Sequence, residues 1–149
     1  MNIKVDYMIR NWGRWYVLDD LTTTKVKKLI VDPGCQLSYQ KHAHRTEIWY
    51  VHHGNGVVIL SKDGVNEDQH ILEKGTALVI EKECWHQLIN TGKEPLVIIE
   101  IQYGEECKEH DIVRRPNPDY PDEVVNKDME ERFNYENLWD WPANQSGSY

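Results

Sequence analysis

The stretch LSYQKHAHRTEIWYVHHGNG, from Leu37 to Gly56, sets His42, His44, His52 and His53 beside Gln40 and Glu47. Imidazole nitrogens, a carboxylate and an amide oxygen are donors that suit a divalent metal ion. Gln40 and His42 stand two apart, so in a strand they share a face, with Cα atoms roughly 6.6 Å apart. Glu47 has the opposite parity and joins that face only if the chain reverses between them. The segment AHRT is long enough for a hairpin turn, which predicts that two neighbouring strands carry the three donors to one point. Three N/O ligands suit Zn²⁺, Mn²⁺, Fe²⁺, Co²⁺ or Ni²⁺, at about 2.0–2.2 Å for zinc. A fourth has to come from elsewhere, and GTALVIEKECWHQLIN offers His86 in a strand that follows a turn. One divalent cation per chain is expected, zinc first. His70 and His110 are isolated, and His52 and His53 precede a glycine turn, so these four read as solvated.

The elements that must hold these donors read as strands. WYVLDD, KVKKLIVD, QLSYQK, EIWYVH, GVVILSK, QHILEK, ALVIEK, WHQLIN and LVIIEIQY are rich in β-branched and aromatic residues. Between them lie turn signals at Pro33-Gly34, Gly54-Asn55-Gly56, Asp63-Gly64, Lys74-Gly75 and Asn90 to Pro95. Short strands at fairly regular spacing, with no helical period, predict an all-β sandwich or barrel. The domain is expected over residues 1–115. Beyond it, residues 116–149 form an arm: RPNPDYPDE is prolyl and should be extended or looped. VVNKDMEERFNYENLWDW then has an apolar stripe of Met129, Phe133, Leu138 and two tryptophans, which fits one amphipathic helix.

Composition narrows the class. At 149 residues the chain suits one domain with its own core, and its net charge of −8 does not favour a nucleic-acid partner. An anionic ligand then needs a local basic pocket. No apolar run is long enough to span a bilayer, and the opening MNIKVDYMIRNWG lacks the apolar stretch of a signal peptide. Cys35, Cys84 and Cys107 are odd in number and unpaired in spacing, so no disulfide framework is expected. The expected compartment is the cytoplasm, with no membrane partner.

The spacing of the donors resembles a known family. Gly34, Gln40, His42, Glu47 and Gly54 fall at the intervals of the first cupin motif, with glutamine where most cupins have histidine. Gly75, Glu81, Glu83, His86 and Asn90 keep the spacing of the second motif, with glutamates in place of its proline and second glycine. Within the cupins, the chain from about Asn11 to Arg115 resembles the type II phosphomannose isomerases. The resemblance rests on NWGRWYVLDD, KVKKLIVDPG, LSYQKHAHRTEIWYV, GNGVVIL and NTGKEPLVIIEIQYGEECKEHDIVR. It departs at EKECWH, where Trp85 stands in place of the family's lysine.

The resemblance implies a jelly-roll barrel (a double-stranded β-helix) and a metal set of Gln40, His42, Glu47 and His86. It implies metal-dependent interconversion of mannose 6-phosphate and fructose 6-phosphate, in which a proton moves between C1 and C2 through an enediol. His44, beside the ligands, and Glu100 with Gln102, two apart in LVIIEIQY, are the candidate catalytic groups. Arg14, Lys27, Arg45 and Arg114 lie in matching segments and are the candidates to bind the substrate's phosphate. For several of these a plainer role competes. Lys25, Lys27 and Lys28 also fit a charged face, and Glu100 and Gln102 also fit a solvated strand face. Cupins commonly pair through edge strands, which predicts a homodimer. Two rivals remain: a cupin that binds a sugar or sugar phosphate without turnover, in line with Trp85, and an iron-dependent oxidative cupin.

Overall fold

The computed structural model describes residues 6–121, so the helical stripe expected from Met129 onward lies outside the described residues. The first strands are β1 (Asp6–Arg10), β2 (Gly13–Leu21), β3 (Thr24–Val31), β4 (Tyr39–Lys41), β5 (Arg45–His53) and β6 (Gly56–Ser61). They are followed by β7 (Asp68–Leu72), β8 (Ala77–Ile80), β9 (Trp85–Ile89), β10 (Leu96–Gly104) and β11 (Val113–Arg115). No helix occurs among the described residues, and none there is long and apolar enough to cross a membrane.

The strands form two antiparallel sheets. Sheet A has the order β1-β2-β3-β10-β5-β8, and sheet B has the order β11-β4-β9-β6-β7. Chain neighbours are repeatedly split between the sheets, which gives the jelly-roll connectivity expected from the sequence. All nine anticipated strands are present. β1 and β11 were not anticipated, and each forms one edge of its sheet.

The chain between Gln40 and Glu47 corrects one expectation. β4 and β5 are not neighbouring strands of a hairpin: β4 belongs to sheet B and β5 to sheet A. The turn at Ala43–His44 therefore carries the chain from one sheet to the other. The parity change at Glu47 is absorbed by facing sheets, so the donors meet across the interior rather than along one surface.

The interior has two ends of different character. Leu29, Val31, Trp49, Val51, Leu88, Leu96 and Ile98 pack in one apolar cluster between the sheets. Along the same inward faces the residue type then changes. β3 goes from Leu29 to Lys27, β5 from Trp49 to Glu47, β9 from Leu88 to His86, and β10 from Ile98 to Glu100 and Gln102. The registers align these changes, with Glu100 opposite both Lys27 and Trp49 and Gln102 opposite Glu47. One end of the barrel is thus a closed core and the other a polar chamber.

After β11 the chain turns back over the outer face of sheet B. Tyr120 packs against Tyr39, Ile59 and Ile89, its carbonyl accepts from Gln87 Nε2 at 3.0 Å, and Asn117 Nδ2 donates to Gln87 Oε1 at 2.7 Å. The start of the arm is irregular, as its prolines predict.

Candidate metal centre

His42, Glu47 and His86 converge in the polar chamber, each no more than 3% exposed. Their donor atoms lie within 4.8 Å of one another. Glu47 sits between the rings, with Oε1 3.4 Å from His86 Nε2 and Oε2 3.5 Å from His42 Nε2. His42 Nδ1 lies 2.6 Å from the Asp111 carbonyl and His86 Nδ1 lies 2.9 Å from the Cys84 carbonyl. A carbonyl only accepts, so each Nδ1 carries the proton and each Nε2 turns its lone pair inward. Histidine ligands are commonly fixed in this way by a partner behind the ring.

Electrostatics favour the same state. Burial, together with the His86 and Arg45 charges, draws the His42 pKa down to about 4 against the pull of Glu47, so its ring is neutral at physiological pH. Burial works to raise the Glu47 pKa. The His86, His42 and Arg45 groups around it outweigh burial and hold the carboxyl well below the usual range. The neutral His42 ring, the ionised Glu47 carboxylate and the His86 Nε2 turned toward them are a donor set that fits a divalent transition metal.

Gln40 faces His86 directly in the β4–β9 register and lines the same cavity. Its Nε2 donates to Ser38 Oγ at 3.2 Å, which orients the amide. The four donors of the sequence reading are therefore brought to one region from both sheets.

The chamber opens as a cavity of about 450 Å³. Glu100 and Gln102 line it, rather than solvent, at 4% and 1% exposure. Trp49 Nε1 donates to Glu100 Oε2 at 2.9 Å, and Gln102 Nε2 donates to Glu100 Oε1 at 2.6 Å. Burial first, then the Glu47 charge, pushes the Glu100 pKa up to about 7. Gln102 Oε1 is buried without a hydrogen-bond partner, which leaves an acceptor for a ligand hydroxyl.

The expected cations separate. Lys27 lines the cavity, stands 3.9 Å over the Trp15 ring and is paired with Glu109. Arg45 lies beside the metal set: its Nε donates to Glu47 Oε2 at 3.1 Å and its NH1 to the Lys108 carbonyl at 2.8 Å. Arg114 lines the cavity from β11. Arg14 does not: β2 points Trp15 inward, so its neighbour Arg14 faces outward, 3.7 Å from Asp32. His44 is also outside the cavity, half exposed on the turn and 3.7 Å from Glu105. Trp85 precedes the inward His86 and so faces outward, packed edge-on to Tyr39 and under Arg115.

Sequence reasoning missed Asp111, whose carboxylate accepts from Ala43 N at 3.0 Å and His44 N at 2.9 Å while its carbonyl meets His42. It also missed Arg10, Trp15, Trp49 and Glu109 on the cavity wall. For Trp49 the signal was present, because its parity matches Glu47 in β5. For Asp111 periodicity carried none, since it acts from a loop.

Solved structures with this fold include the capsular polysaccharide assembling protein CapF from Staphylococcus aureus. The match has a TM-score of 0.63 at 17% identity and covers 81% of this chain and 32% of that one. Oxalate decarboxylase from Lactobacillus farciminis matches with a TM-score of 0.65 at 17% identity, over 74% of this chain and 33% of that one. These likenesses show that the two-sheet barrel is a fold shared with known structures. Among curated proteins, the mannose-1-phosphate guanylyltransferase of Escherichia coli K12 and the xanthan biosynthesis protein XanB of Xanthomonas campestris are each 37% identical over 105 residues. Each match covers 70% of this chain and 21% of the relative, so the chain spans about a fifth of their length. Residues 3–117 match the family described as mannose-6-phosphate isomerase C-terminal. With its two-sheet barrel and its His–Glu–His chamber, the chain belongs to the mannose-6-phosphate isomerase C-terminal family of cupins.

Proposed function

We propose that the protein is a metal-dependent aldose–ketose isomerase acting on a sugar phosphate, with mannose 6-phosphate as the first substrate to test. The observation that carries this reading is Glu100, a carboxyl held near neutral proton affinity in the chamber that also holds the metal ligands.

Gln40, His42, Glu47 and His86 would hold the cation. When bound there it supplies Lewis acidity toward the oxygens on C1 and C2. Glu100 takes the proton from one of these carbons and returns it to the other. A group whose proton affinity sits near the working pH both accepts and donates readily. The Trp49 indole and the Gln102 amide fix its carboxylate, so the proton-bearing oxygen stays aimed. Gln102 Oε1 accepts from a sugar hydroxyl. Arg45 keeps Glu47 oriented and ionised. The tryptophan walls at Trp15 and Trp49 restrict water around the reacting carbons. Trp85, on the outer face, leaves the cavity's donors in place.

The test is a coupled assay for fructose 6-phosphate formed from mannose 6-phosphate, with the chain loaded in turn with zinc, manganese, cobalt, nickel and iron. Turnover that chelator removes and metal restores supports the reading. No turnover with any of these metals would sink it.

A further inference from the structure

The two faces of sheet A have different company. The inner face meets sheet B, but the outer face has no facing sheet among the described residues. Along β10 the outward residues are Val97, Ile99, Ile101 and Tyr103, and their exposure runs from 0% at Val97 to 42% at Tyr103. Val97 stands opposite Ile30, and Ile30 stands opposite Arg14, whose next outward neighbour on β2 is Tyr16. Tyr16, Ile30 and Val97 form a cluster of their own at 3%, 1% and 0% exposure. Leu18 packs against them and the Tyr7 ring lies 6.2 Å from that of Tyr16, but both belong to the same sheet. A sheet face this apolar and this buried has another element lying over it.

The route of the chain points to the cover. Residues 122–149 follow Pro121, whose carbonyl accepts from Gln36 Nε2 at 2.5 Å. Gln36 bridges to Ile89, the neighbour of Asn90. Asn90 Nδ2 in turn donates to the carbonyls of Val31, at 2.9 Å, and Glu94, at 2.8 Å. Val31 follows Ile30, and Glu94 lies just before β10 and Val97. The chain therefore leaves the described residues at the apolar end of the barrel, the same end at which the buried outer cluster lies. Six strands at the usual spacing make sheet A about 24 Å wide. A run of about 20 residues reaches roughly 30 Å as a helix and more than twice that when extended. The segment that ends at Trp141 is long enough to cross the face in either form.

Composition matches the segment to the face. Met129, Phe133, Leu138, Trp139 and Trp141 offer the apolar and aromatic area that a sheet face buries. Residues 122–149 also hold seven acidic residues against two basic ones. Around the buried cluster the side chains are largely cationic. Burial first, then the Arg14 charge, lowers the Lys28 pKa; burial first, then Lys28, His53 and Lys74, lowers that of His52. Asp32 pairs with Arg14 and Glu94 with His53 at the margin. We infer that the segment from Val124 to Trp141 packs over the outer face of sheet A of its own chain, covering Tyr16, Ile30 and Val97 and setting its carboxylates against the cations around them. Apolar burial holds the segment there, and charge sets its placement. The barrel thereby gains a third layer on the side of sheet A remote from the cavity, and the assignment is independent of the chemistry proposed for that cavity.

The test uses the full chain. A zero-length carbodiimide joins amines to carboxylates, and a mixture of isotopically light and heavy protein separates links within a chain from links between chains by mass. The expected result is cross-linking of Lys28 or Lys74 to carboxylates of residues 128–140 within one chain. Hydroxyl-radical footprinting then compares wild type with the double variant Phe133→Ser/Leu138→Ser. Tyr16 should oxidise several-fold faster in the variant, while Tyr103, exposed on the same face, and Trp49, in the core, react as before. Faster reaction of Trp49 would mean that the barrel itself has opened, and Leu138→Ala then takes the place of the double variant. Unchanged reaction of Tyr16 overturns the inference, as does wild type without links from Lys28 and Lys74 to the arm. Links of this kind that form only between chains also overturn it, and give the face to the arm of a second copy.

Discussion

At the scale of single residues, the proposed reading separates groups in the chamber that would bind from a group that would move protons. Glu47→Gln should cost the site its one ionised donor. Dialysed protein should then retain far less than one metal per chain by atomic emission, against about one for wild type. Gln40→Ala removes a neutral donor and should weaken binding by a smaller factor. Glu100→Gln should behave differently, with metal content unchanged and kcat lower by about 10²–10⁴-fold. Wild-type kcat in that variant would assign the proton transfer to another group. Glu100 also links stability to pH in the metal-free protein. Its folded pKa of about 7 lies above the ordinary value of 4.5, so the folded state holds the proton more tightly. The stabilisation this gives is complete below about pH 4.5 and is lost as pH rises through about 7. Calorimetry at pH 4.5 and pH 8 should therefore show Glu100→Gln less sensitive to this rise than wild type; equal slopes would refute the assignment.

At the scale of elements, the loop between β10 and β11 connects the mouth to the metal set. Asp111 accepts two backbone N–H groups of the sheet-crossing turn, and its carbonyl fixes the His42 tautomer. Asp111→Ala keeps the carbonyl but frees the loop, so His42 should lose its fixed orientation. Metal affinity measured by competition with a chromophoric chelator should fall about 10–100-fold, and stability by about 1–3 kcal/mol. Gly54 is constrained by backbone: its φ is +89°, and a Cβ there would lie 2.4 Å from the Pro95 carbonyl oxygen. Gly54→Ala should cost about 1–3 kcal/mol or more in chemical denaturation. Much of this layer was legible in the sequence, because alternation in EIWYVH or LVIIEIQY marks two faces of a strand. What alternation cannot say is which sheet a strand joins. That is why Gln40 and Glu47 read as hairpin partners and why Glu100 could be read as solvated. β11 is too short to show a period, and β1 has no buried position to mark it. Asp111 and Arg10 act from a loop and a strand end, where position depends on tertiary contacts rather than periodicity.

At the scale of the whole molecule, the metal set draws on both sheets, since His86 comes from sheet B and Glu47 from sheet A. A cation bound only by the folded chain stabilises it through mass action, by about 2.7 kcal/mol at a free concentration 100-fold above its Kd. Chelation should therefore lower the melting temperature, and re-addition of metal should restore it. An unchanged melting temperature would mean that the ion is not held by both sheets. The proposed homodimer would use one of the open edges, β1, β8, β7 or β11, and light scattering should return the mass of two chains. β9 carries the last consequence. Trp85 and His86 are adjacent in sequence but face opposite sides of one wall, one toward solvent-side packing and one toward the chamber. Natural drift can rewrite the barrel's skin, even within a motif, while the chamber behind it stays untouched. Divergence at such outward positions is then a poor guide to whether a descendant has kept its chemistry.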